Sequence, residues 1–148
     1  MNFDDRKAKF FARTMHTPDD QVRAAQRAKL RDISRQLLPL HRALIDAVKA
    51  DYALAYEPVE QPTHLLRLLN EDPFFEWLKP LTSLIVEIDE MARQDFSSDS
   101  FEAISQRIEA LFGASSTSDF AAKYLPLLQQ SIDLAVAHAA LKKLVERR

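Results

Sequence analysis

Four histidines, His16, His41, His64 and His138, are the side chains of this sequence best suited to proton transfer or metal ligation near neutral pH. Cysteine is absent, which removes disulfides, thiolate metal sites and cysteine nucleophiles together. Spacing then narrows the chemistry. A ferritin-like di-iron bundle needs Glu-x-x-His on two helices, because that interval aims both ligands inward. No glutamate here is followed by histidine three residues later, and the histidines are scattered over four segments. His-Glu-x-x-His and Gly-x-Ser-x-Gly are also missing. One looser constellation remains. His138 lies within an apolar stripe, His41 lies at the edge of another, and Asp51 and Asp89 flank apolar faces. If those helices pack together, a histidine and a carboxylate could meet in a polar core site, for proton transfer or for a ligand. A histidine satisfied by a carboxylate or a backbone carbonyl is the commoner outcome of such a placement. Neither a cofactor nor a stoichiometric metal is expected.

The elements that would hold these residues are helices. The chain of 148 residues contains one glycine, Gly113, whereas hairpins, phosphate loops and dinucleotide folds need several. The net charge of −2 is unevenly spread. Residues 1–50 carry eleven Lys/Arg against six Asp/Glu, residues 51–119 four against fourteen, and residues 120–148 five against two. Basic ends and an acidic middle suit helices that complement one another. Arg23, Arg27, Arg31, Arg35, Arg42 and Lys49 fall within about 120° of one another on a helical wheel. Six cations on one face could follow a phosphate backbone. Nucleic acid is nevertheless the weaker reading, because the chain is acidic overall and carries no recognition motif.

Thr17-Pro18-Asp19-Asp20 is a helix start, with a cap, proline in the first turn and acids near the positive end. The helix it opens runs to about Tyr56, with Leu30, Ile33, Leu37, Leu40, Leu44 and Val48 on one stripe and Pro39 on the solvent side. Unkinked, it would be about 55 Å long, against a diameter of roughly 40 Å for a compact chain of this size. It is expected either to bend at Pro39 or to project its first turns. A short helix follows over 63–70. Asp72-Pro73 opens a long helix with Phe74, Trp77, Leu78, Leu81, Leu84, Ile85, Ile88 and Ala92 inward, and Asp99-Ser100-Phe101-Glu102 reads as a capping box. Gly113 ends the helix so begun. Residues 119–145 form the last helix, with a possible break near Gln130-Ser131. The expected fold is an all-α antiparallel bundle of about four principal helices and two short ones. Residues 1–16 are expected to be an amphipathic arm on a single bundle domain spanning 17–148.

Leu40-His41-Arg42-Ala43-Leu44 with Asp51-Tyr52, the run Asp72-Pro73-Phe74-Phe75-Glu76-Trp77-Leu78-Lys79-Pro80-Leu81 continuing through Leu84-Ile85-Val86-Glu87-Ile88-Asp89-Glu90, and Ala137-His138-Ala139-Ala140 together resemble the blocks of a small family of uncharacterised bacterial helical proteins. The likeness covers roughly residues 36–142 and is most specific in the middle block. It implies a helical bundle and supplies no catalytic residue.

The expected function is therefore that of a non-enzymatic protein-interaction or oligomerising module. The alternative is a bundle that binds a small molecule or metal through His41, His138 and nearby carboxylates. The N-terminal arm alternates Phe3, Phe10 and Phe11 with Arg6, Lys7, Lys9 and Arg13. Three phenylalanines should not stay in water, so a protein partner or a second copy in a homodimer is expected to cover them. No transmembrane segment or leader stands out, and the expected location is the cytoplasm.

Overall fold

The computed structural model describes residues 18–114 and 116–146, and all of its regular structure is helical. The elements are α1 (Pro18–Ala55), α2 (Pro62–Glu71), a 3-10 helix (Pro73–Leu78), α3 (Lys79–Arg93), α4 (Ser98–Phe112), α5 (Asp119–Gln130) and α6 (Ile132–Glu146). The arm with Phe3, Phe10 and Phe11 lies outside the described residues.

α1 is the spine. Its stripe of Leu30, Ile33, Leu37, Leu40, Leu44, Val48 and Tyr52 is buried, as the 3.6-residue period requires. α3 packs on one flank of that spine and α6 on the other, while α4 lies against α3 and α5 against α6. Both principal neighbours run antiparallel to α1. The Lys29 ammonium near its start donates to the carbonyl of Val145 at the end of α6, at 3.3 Å. Arg27 donates to the carbonyl of Ala92 in the last turn of α3, at 2.7 Å. α1 continues as one 38-residue helix through Pro39, whose ring is exposed. At about 1.5 Å per residue it is about 57 Å long. From Asp19 on, its first buried side chain is Leu30, and the turns before it meet the bundle through the part-buried Arg23 and Arg27.

Two starts differ from the sequence expectation. The helix opened by Asp72 is not one α-helix. Asp72 accepts from the Phe74 amide at 2.8 Å, but the next six residues wind as a 3-10 helix. An α-helix running through this point would place the Pro80 ring against the carbonyl of Glu76 and lack one bond. The chain tightens instead, and the Lys79 amide donates to Glu76. α3 then begins with Pro80 in its first turn, where the missing N–H is no loss. At three residues per turn, side chains three apart eclipse. Phe75, Leu78 and Leu81 consequently share the core side and are 0–2% exposed. Phe74 and Trp77, expected at the centre of that face, are only partly buried.

The cap of α4 is Ser97, whose hydroxyl accepts from the Ser100 amide at 3.1 Å, rather than Asp99. Asp99 sits in the first turn, where its charge still favours the helix dipole. The long C-terminal helix does break. Gln130 ends α5, and Ser131 accepts from the Leu134 amide at 3.2 Å to open α6. Gly113 does terminate α4, but with φ of −67°. Its lack of a side chain matters for proximity, since a Cβ there would lie 2.5 Å from the Glu109 carbonyl oxygen.

Arg23 and Arg27 clasp the end of α3. Arg23 donates to the carbonyl of Phe96, Arg27 to that of Ala92, and both guanidinium groups lie over the Phe96 ring, at 5.9 and 5.2 Å. Asp95 adds an ion pair with Arg27 at 3.6 Å. Arg27 meets a carbonyl at the negative end of α3 and Arg23 one in the connector beyond it, with the Phe96 ring below both. Arg27→Ala should therefore cost about 1.5–3 kcal/mol in urea unfolding, the range for hydrogen bonds to charged groups. Arg35→Ala, which loses only an exposed i,i+3 pair with Asp32 at 3.8 Å, should change stability by less than about 0.5 kcal/mol. Equal losses would mean the clasp carries no more than a surface ion pair.

Candidate functional site

Among the described residues, Tyr124 on α5 carries a hydroxyl deep in the bundle and is 1% exposed. Its hydroxyl lies 2.8 Å from Nδ1 of His138 on α6, and the imidazole tautomer decides which of the two donates. The break at Ser131 allows this pairing, because it ends α5 and starts α6 afresh with the two helices in contact. Phe112, at the end of α4, presents its ring edge-on to Tyr124 and to His138, at 5.4 and 6.2 Å. Phe120 stacks on Tyr124, and Trp77 packs on Phe120. Burial pushes the Tyr124 phenol well above its ordinary range, so it stays neutral. Burial, and then the Lys142 ammonium one turn on, hold the His138 imidazole below its usual value. Such a pair can exchange a hydrogen bond but has no charge to offer a substrate.

His138 therefore meets a phenol rather than a carboxylate. Asp89 pairs with Arg93 one turn along α3, at 2.8 Å. His41 and Asp51 are half-buried on α1, and burial lowers the His41 pKa. No hydrogen bond or ion pair joins any two of His41, Asp51, Asp89 and His138. Among the described residues, no three His, Asp or Glu side chains gather as a metal site would require. Tyr124 was missed in the sequence, although Phe120, Tyr124 and Leu127 repeat at helical intervals and mark a buried face.

Both lowered histidines make stability depend on pH. Each binds its proton more readily in the unfolded chain, so unfolding takes up protons as pH falls through the unfolded value of about 6.5. The stability of the folded protein should be full above that pH and decline below it. His138→Gln should flatten the decline between pH 7 and 5.5, as measured by urea midpoints. A midpoint that rises on acidification in this window would contradict the placement of both histidines.

The basic face is divided by the fold. Arg23 and Arg27 are spent on α3, Arg31, Arg35 and Arg42 are exposed, and Lys49 is half-buried. Three exposed cations remain of the six that a phosphate-tracking ridge would use, and Arg35 among them is paired with Asp32.

Two concavities accompany these residues. A cavity of about 150 Å³ lies beside His138, bordered by Ile108, Phe112, Leu141 and Lys142. A groove of about 1120 Å³ runs between the second half of α1 and the α5–α6 junction. Its walls include Ala43, Ala47, Ala137 and Ala140, whose small side chains leave it wide. Leu38 and Val136 stand on it 59% and 64% exposed. Ile132, one turn before Val136, is 81% exposed. Among the described residues no helix is long and apolar enough to cross a membrane. Comparison of the chain with protein-family models, curated proteins and solved structures finds no match.

Proposed function

We propose that this protein is a helical interaction module that self-associates, and that it performs no chemistry of its own. The observation that carries this reading is the groove beside α1, where Leu38 and Val136 stand more than half exposed over a floor of alanines. Single exposed apolar side chains are ordinary, but apolar residues grouped along one concavity signal a surface that another chain covers.

The double substitution Leu38→Glu with Val136→Glu tests it, because neither side chain is in the core. Light scattering should show the unaltered chain as a dimer at micromolar concentration and the double variant as a monomer of unchanged helicity. A monomeric parent, or a dimer indifferent to both charges, would defeat the reading.

A second reading, a binder of small molecules, is favoured by the cavity beside His138. Its volume of about 150 Å³ admits only a compact, largely apolar ligand, with the imidazole and Lys142 available to orient an acidic group. Chemical-shift changes in His138 and Phe112 on adding small aromatic acids would support this alternative, and their absence would end it.

A further inference from the structure

The chain's own N-terminal segment, residues 1–17, offers the chemistry the groove lacks: Phe3, Phe10 and Phe11 set among Arg6, Lys7, Lys9 and Arg13. We propose that the groove between α1 and α6 receives this segment from a second copy of the chain, so that two copies exchange arms. The proposal rests on the self-association reading above and names the surface and the segment that meet.

Reach bears on the Phe10–Phe11 pair. The groove is lined on α1 from Gln36 to Ala50. These residues lie about 27 to 48 Å along the helix from Pro18, at about 1.5 Å per residue. Phe10 and Phe11 precede Pro18 by eight and seven residues. Fully extended they reach at most about 28 and 25 Å, and about 12 Å if helical. In its own chain the phenylalanine pair can touch the near lip at most and falls about 10 Å short of the middle, near Ala43. Only Phe3, fifteen residues before Pro18 and about 52 Å away when extended, could enter it from the same molecule. Seating all three phenylalanines takes a second copy. An arm from another molecule has no such tether. A two-fold axis would then bury both arms in equivalent grooves, the closed arrangement usual for small dimers.

Composition agrees with the pairing. The groove is walled by Ala43, Ala47, Ala137 and Ala140 and carries Asp46 and Asp133 against Arg42. The arm carries four cations against Asp4 and Asp5. Aromatic side chains fill wide, small-walled clefts well, and opposite net charges set their register.

The absence of cysteine makes a site-specific probe simple. Ala12→Cys in the full chain, labelled with benzophenone maleimide, leaves all three phenylalanines in place. It is mixed with unlabelled, heavy-isotope chain, irradiated and digested. The expected result is cross-linked peptides joining residues near position 12 of a light chain to heavy-chain peptides from residues 36–50 or 130–140. Cross-links confined to a single chain would overturn the exchange. Heavy–light links that map elsewhere would overturn the groove assignment while leaving self-association standing. Absence of any heavy–light link in a sample that sediments as a monomer would remove the self-association reading along with this one.

Discussion

Phe75→Ala is expected to lower the unfolding free energy by about 3–5 kcal/mol, the cost of deleting a fully buried aromatic ring. Trp77→Ala should cost clearly less, although tryptophan is the larger residue. The order follows from local winding. Phe75 is 0% exposed and touches Tyr52 of α1 and Phe74, with ring centroids at 5.5 and 5.6 Å. Trp77 is only partly buried and, among the described rings, leans on Phe120 alone. On a regular α-helix the order would reverse, because the apolar wheel centres on Trp77. Urea unfolding of both variants thus reports whether Pro80 holds the preceding turn in 3-10 geometry. A larger loss for Trp77→Ala would place the α-helix start back at Pro73.

Pro39→Ala should stabilise the protein. A proline inside an α-helix costs about 3 kcal/mol relative to alanine, through the missing hydrogen bond and the clash with the carbonyl four residues back. Its ring in α1 is exposed, so removing it opens no cavity. The unfolded chain gains freedom when proline is lost, which offsets up to about 1 kcal/mol. The net gain should be about 2 kcal/mol, visible as a higher urea midpoint at unchanged slope. A loss would mean that the Pro39 ring makes packing contacts worth more than the hydrogen bond it removes. Pro39 also lines the groove. Reduced self-association in a more stable Pro39→Ala protein would indicate that the proline ring forms part of the docking surface.

Much of the fold was legible because periodicity is a local signal. The buried stripe of α1 repeats at helical intervals, and the single glycine leaves little room for sheet. Errors arose where two signals competed within a few residues. Pro73 and Pro80 both mark starts, and the wheel could not show that the chain between them winds at three residues per turn. Ser97 and Asp99 are both good caps, and the serine took the position. The candidate site was much less legible. Tyr124 and His138 sit on different helices, and only the break at Ser131 makes them neighbours. Arg23 and Arg27 read only as members of a six-cation face because their partners are backbone carbonyls, which every residue possesses. The groove had no signature at all, since alanines on two distant helices mark a concavity only after those helices pack.

Self-association is the claim on which the functional account stands, and sedimentation equilibrium of the intact, unlabelled chain tests it most directly. The chain mass is 17.0 kDa. The account predicts a reversible approach to twice that mass as concentration rises through the micromolar range, for the full sequence with its N-terminal arm. A single species of 17.0 kDa throughout that range would contradict it.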